Sequence, residues 1–381
     1  MLSLLAPFNK KYFITYLFLL IIFLFPILHI TIKDNDFSLI ENRYLEKFPK
    51  FTLDNFLSGN FSEKLNNYLE DHFPFRNQFV SLNSYFEIIM GRNDINEVYL
   101  AKNNYLIDMF NKIDLNITDR NITLINKFSK NMNVSLMLIP TSTEVLKDYL
   151  PKFSVNINQE EYLNYVETNL NKNINFINPL YILKSKKNEY IYYRTDHHYT
   201  TLGAYYSYLK FCESYNITPL EINDFKITQI SNDFLGSLFS KVNLNHQKKD
   251  SVYIFEPLTK NDLTVYYGDR VTNSLYEFSH LQNNRSHYNI FLDNNHPLIK
   301  IKTSIKNGKN IVVIKDSYAN SFIPFLTKNF EEIHVIDLRF YNSNINAYLN
   351  ENNLKDILFF YNVKNFSEEN NLIFINKLEE D

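Results

Sequence analysis

Asp196 and His198 stand one residue apart in Arg194-Thr195-Asp196-His197-His198-Tyr199-Thr200, and Ser317 follows in Lys315-Asp316-Ser317-Tyr318-Ala319-Asn320. A carboxylate that orients an imidazole, the imidazole it orients, and a serine whose proton the imidazole takes are the parts of a nucleophilic triad. Acyl transfer is the chemistry such a set performs. Blander roles exist for the same residues. Asp316 or Ser317 suits the cap of a following helix, as does Asp196. Asp196 with His197 and His198 also supplies ligand types for a metal. Neighbouring histidines tend to diverge, however, and no third cluster of His, Cys or acid accompanies them, so no metal is expected. His72, beside Phe73-Pro74-Phe75, reads as structural.

These groups need elements to hold them. Residues 311–314 form a short apolar run just before Ser317, with a helix expected over about 319–327; residues 190–193 form a similar run before Asp196, with a helix starting near Thr200 or Thr201. In open α/β sheets functional groups collect beyond the carboxyl ends of the strands, where helix N-termini also offer free amides to an oxyanion. Further strands are expected at 135–139, 334–338 and 357–361, and a helix at about 160–171. This alternation predicts an α/β fold with a mainly parallel sheet between helices. The stretch from about 219 to 297 departs from it with runs such as 251–255 and 263–267, read as a β-rich insertion. Upstream, apolar spacing over 61–90 predicts helices broken at residues 72–75 by Pro74, and 98–100 with 105–107 a hairpin.

Composition bounds the rest. The 381 residues include 28 Tyr and 33 Phe and are 45% hydrophobic, enough for one large core or two smaller ones. A net charge of −3, from 39 basic and 42 acidic residues mixed along the chain, provides no field for nucleic acid. The single cysteine, Cys212, lies among apolar residues and reads as a core thiol. Residues 12–30 contain no Asp, Glu, Lys or Arg; as a helix rising ~1.5 Å per residue they would cross a hydrocarbon core of roughly 30 Å. A cleaved signal would want a shorter apolar core and a small-residue cutting site. An uncleaved anchor is therefore expected, with residues 1–11, including Lys10 and Lys11, as a cytoplasmic tail, 31–96 as an extended and helical approach, and 97–381 as the main domain.

Asp196-His197-His198-Tyr199-Thr200 resembles the signature of the DHHW family, a branch of the SGNH-hydrolase-like superfamily that includes alginate O-acetylation proteins. The resemblance covers most of the chain outside the apolar segment, through Glu41-Asn42-Arg43, Phe73-Pro74-Phe75-Arg76, Val98-Tyr99-Leu100, Phe234-Leu235-Gly236-Ser237-Leu238 and Lys315-Asp316-Ser317-Tyr318. It implies a three-layer SGNH-hydrolase-like fold in which Ser317 is the nucleophile, His198 the base and Asp196 the orienting carboxylate. Asn295, in a loop that usually carries glycines in the family, and Asn320 are candidate oxyanion or substrate contacts. Tyr199 replaces the tryptophan of the signature, and Lys315 stands where many SGNH enzymes have glycine. The implied activity is O-acetylation of a cell-surface or secreted polysaccharide, outside a bacterial cytoplasmic membrane and without a cofactor, beside an integral-membrane O-acyltransferase partner. The alternatives are a carbohydrate esterase or deacetylase with the same triad, and a non-catalytic carbohydrate-binding assembly protein.

Overall fold

A computed structural model describes residues 12–38, 43–244, 246–259 and 261–376. The expected tail 1–11, and Glu41-Asn42 of the quoted fragments, lie outside the described residues. Two compact units are distinguished: residues 1–90 with 243–245, and residues 91–242 with 246–381.

The first unit contains the apolar helix Phe13–Thr31, long and apolar enough to span a bilayer by length and composition. That is compatible with a single-pass anchor and equally with a signal peptide. Helices Asn60–Asp71 and Arg76–Ile89 follow, interrupted at residues 72–75, where Phe75 takes a positive φ. Within this unit Arg43 makes a paired contact to Asp71 at 2.9 and 2.5 Å.

The second unit is built on an eight-stranded sheet. In chain order its strands are β1 Asn133–Ile139, β2 Asn175–Ile177, β3 Thr264–Tyr267, β4 Arg270–Thr272, β5 Leu298–Lys302, β6 Asn310–Lys315, β7 Glu332–Ile336 and β8 Asp356–Asn362. Their order across the sheet is β4-β3-β5-β7-β6-β8-β1-β2. The five strands from β7 to β2 run parallel, and β5, β3 and β4 add antiparallel. Residues 134–139, 311–315 and 357–362 are buried without alternation, as expected of strands covered on both faces. One helix group contains Leu115–Phe128, Gln159–Asn169 and Val363–Glu368; another contains Leu180–Ser185, Thr201–Tyr215 and Ile323–Leu326. The architecture is the three-layer α/β arrangement with a mainly parallel sheet.

Several local expectations change. Residues 190–193 form no strand; the chain doubles back through an isolated bridge between Tyr192 and Tyr199. The apolar run there reflects packing, because Tyr192 and Tyr193 are both buried but enter different clusters. The helix expected over 319–327 is a 3-10 turn, Ser317–Ser321, followed by the short helix Ile323–Leu326. Pro324 lacks the N–H that a continuous helix would use. The strands of the 219–297 stretch divide between sheets: Phe225–Phe234 pairs with Asp250–Pro257 in a separate ribbon, while β3 and β4 extend the central sheet through β5.

Candidate active site

Ser317 begins the 3-10 turn at the carboxyl end of β6. Asp316, just before it, is fully buried and caps the turn by accepting from the Tyr318 N–H at 2.9 Å. Its other oxygen accepts from Asn362 N and Nδ2 at 2.8 and 2.7 Å and from Asn365 Nδ2 at 3.0 Å. Burial raises this carboxyl's pKa, against the lowering effect of those donors. The capping role considered for Asp316 is thus real. Ser317 itself, half-buried, keeps its hydroxyl for another partner.

That partner is His198, whose Nε2 lies 2.8 Å from Ser317 Oγ. On the far side of the ring, Nδ1 is 2.6 Å from Asp196 Oδ1, so the carboxylate holds the tautomer with Nδ1 protonated and Nε2 free to accept. Asp196 Oδ1 also accepts from the His198 backbone N–H at 3.0 Å, and Oδ2 from the Ser237 N–H at 2.9 Å. Burial alone would raise the Asp196 pKa, but His197, His198 and the Ser237 amide outweigh it and hold it well below the usual range. Burial, reinforced by His197, pulls His198 down to about 4 despite Asp196. The imidazole is therefore neutral at pH 7, the state a general base requires.

The loop carrying Asp196 and His198 is fixed by Asp250, which accepts from Arg194 N at 2.8 Å, Thr195 N at 2.8 Å, Thr195 Oγ1 at 2.6 Å and Tyr190 Oη at 2.5 Å. Gly236 also ties to it, donating to Thr195 Oγ1 at 2.9 Å. A Cβ on Gly236 would lie 2.2 Å from Asp196 Cβ. Tyr288 stacks on the His198 ring at 3.8 Å between centroids and 11° between planes, and its hydroxyl donates to Ser317 O at 2.9 Å. Sequence reasoning missed Asp250 and Tyr288. Nothing marks Tyr288 among 28 tyrosines, whereas Gly236 lay in a quoted fragment.

His197 and His198, as neighbours, were expected to diverge. His197 makes its hydrogen bond to Ser237 Oγ, at 2.7 Å, yet its ring lies only 3.9 Å from that of His198. Ligand-type atoms of Asp196, His197 and His198 consequently come within 4.8 Å of one another, so divergence is not what argues against a metal. A metal there would have to compete with the hydrogen bonds that already occupy both Asp196 oxygens.

Asn295 and Asn320 are brought together, but around Lys315: their Oδ1 atoms accept from its Nζ at 2.6 and 2.7 Å. Asn320 Nδ2 donates to Asn294 O at 3.3 Å and to Asn295 Oδ1 at 3.2 Å. The Asn295 loop has three consecutive positive φ angles, 57° at Leu292, 51° at Asp293 and 72° at Asn294. Glycine would adopt these at little cost, whereas side chains there are strained. Arg270 and His280 hold the loop through Asp293, at 2.5 and 2.7 Å. Cys212 is buried and raised to about 11 by burial, so it offers no thiolate.

Fold and site together define a three-layer α/β protein with a mainly parallel sheet, in which an Asp-x-His loop faces a serine at the end of a parallel strand. The chain belongs to the DHHW family: the family description "DHHW protein" matches residues 93–336. A DHHW family protein from Eubacterium siraeum is 25% identical, with a TM-score of 0.64 over 74% of this chain and 96% of that one. Bacillus cereus PatB1 carrying a sulfonyl adduct is 22% identical, with a TM-score of 0.62 over 73% and 99%. The O-acetyltransferase domain of Pseudomonas putida AlgJ is 12% identical, with a TM-score of 0.46 over 72% and 93%. No curated protein sequence matches the chain.

Proposed function

We propose that this protein is a serine acyltransferase that acetylates hydroxyls of a cell-surface or secreted polysaccharide. The observation that carries the reading is the unbroken series Asp196–His198–Ser317, with contacts of 2.6 and 2.8 Å. Ser317 Oγ attacks the acetyl carbonyl while its proton passes to His198 Nε2; the tetrahedral intermediate collapses when Nε2 returns that proton to the leaving group. The acceptor hydroxyl then enters, gives its proton to Nε2 and attacks acetyl-Ser317; Nε2 passes that proton to the departing Ser317 Oγ as the new ester leaves. Water in that second step makes the same site an esterase. The Ser317 N–H makes no hydrogen bond among the described residues and is the first donor for the oxyanion.

The location that fits this activity is extracytoplasmic, with Phe13–Thr31 as a membrane anchor. An integral-membrane O-acyltransferase would be the donor-side partner. The test uses the full chain with p-nitrophenyl acetate, and with an acetylated donor plus oligosaccharide acceptor. Ser317→Ala should lower acetyl release by about 10⁴-fold or more with the melting temperature kept, and His197→Ala should retain much of the activity. Full acyl transfer by Ser317→Ala would refute nucleophilic catalysis. Release of acetate at equal rates with and without acceptor would identify an esterase.

A further inference from the structure

Lys315 has a fully buried side chain two residues before Ser317, and its ammonium is saturated by three acceptors on three segments. These are Asn320 Oδ1 at 2.7 Å, Asn295 Oδ1 at 2.6 Å and Asp337 Oδ2 at 3.3 Å. Asn320 lies in the same 3-10 turn as Ser317. The Lys315–Asn320 contact therefore bridges residues 316–319 and encloses the serine between two fixed points. Asp337 is held in turn by Arg339, at 2.8 and 2.6 Å.

We propose that Lys315 is a positioning residue for Ser317, its ammonium clamping the nucleophile turn to the Asn295 loop and to the Asp337 turn. This rests on the assignment of Ser317 as nucleophile. An ammonium has three donors and no acceptor, so it matches three oxygens; the neutral amine has two donors and a lone pair, and one oxygen must let go. The charged groups facing Lys315 are Asp316, next to it in the chain, and Asp337 and Arg339 beyond β7; Tyr361 of β8 and Glu369, just past the short helix Val363–Glu368, bear on those carboxylates. Burial, partly offset by Asp337, brings Lys315 down to about 8. The clamp therefore loosens within an accessible pH range.

The experiment follows labelling of Ser317 by phenylmethylsulfonyl fluoride, by mass spectrometry, and the kcat and KM of p-nitrophenyl acetate hydrolysis, from pH 6 to 10 on the full chain. Wild type should show an alkaline decline in kcat/KM and labelling rate centred near pH 8. Lys315→Met should lose about 10- to 100-fold in kcat with KM little changed, and should lose the decline. Asn320→Ala, which cuts one arm of the clamp and keeps the charge, covers the case in which Lys315→Met does not fold; it should lower kcat in the same way. A wild-type profile flat from pH 7 to 9, or wild-type kcat in a folded Lys315→Met or in Asn320→Ala, overturns the proposal while Ser317 labelling leaves the nucleophile assignment standing. Absence of Ser317 labelling in wild type removes both.

Discussion

Gly236→Ala tests whether the carboxylate's position, and not merely its presence, sets the rate. The added Cβ would lie 2.2 Å from Asp196 Cβ and 2.4 Å from its Oδ2, where ordinary contact begins at 3.4 Å, so a gap of about 1.2 Å (3.4 − 2.2) must open. Both neighbours are tied down: Gly236 N to Thr195 Oγ1 at 2.9 Å, and Asp196 to Ser237 N and His198 N at 2.9 and 3.0 Å. The movement therefore falls on the 2.6 Å contact between Asp196 and His198. Misplacement of about 1 Å costs roughly 100-fold in rate, close to 2.7 kcal/mol of transition-state stabilisation. Overpacking should cost about 1–3 kcal/mol of stability besides, which a thermal melt reads separately. The control is Gly308→Ala, at φ +67° with nothing within 4 Å of the added Cβ, which strains the turn before the amino end of β6, the opposite strand end from Ser317. Gly236→Ala with more than a tenth of wild-type kcat and a single cooperative melt would refute the reasoning, as would an equal kcat loss in Gly308→Ala.

Two further outcomes are expected. The acid limb of kcat/KM should centre near pH 4, because His198 must be neutral to act and burial with His197 holds it at about 4; a limb near the ordinary histidine value of about 6.5 would show a solvated imidazole. The sign for stability follows: between pH 6.5 and 4 the unfolded chain binds the proton that folded His198 refuses, so this contribution is complete above 6.5 and is lost as pH falls toward 4. Fractionation of cells expressing the full chain should recover it in the membrane with residues 13–31 retained; a soluble form beginning after Ile30 would make the segment a cleaved signal.

The pairing of Asp-x-His with a distant serine was legible because triad chemistry restricts residue types, and the strand before Ser317 because burial on both faces leaves a continuous apolar run. The Asp196 side was harder. Tyr192 and Tyr193 produce the same apolar run by packing into two different clusters, which no period distinguishes from a strand. Strand β5 went unread although Leu298–Lys302 alternates Ile with Lys, the period of a half-buried strand. The supports of the site were least legible. Asp250 and Tyr288 act through partners 60 and 29 residues away, Tyr190 and Ser317; Asp316 was legible as a cap, but its reach to Asn362, 46 residues on, was not.

Those supports explain how a short turn and a loop hold a contact of 2.8 Å. Ser317 rests on a 3-10 turn of five residues, and Asp196 on a loop closed by one bridge pair just before the helix Thr201–Tyr215. Each is anchored by a buried carboxylate that accepts several donors, Asp316 on the serine side and Asp250 on the histidine side. Burial raises both of these pKa values, in contrast to Asp196, whose neighbours lower it. The three acids thus divide by environment: two accept from neutral amides and hydroxyls and serve as struts, and one faces the histidines, where the proposed mechanism needs an ionised carboxylate. Tyr288 joins the halves, its ring on His198 and its hydroxyl on Ser317 O, so that imidazole and serine hydroxyl keep their spacing even though no backbone hydrogen-bond ladder connects them among the described residues.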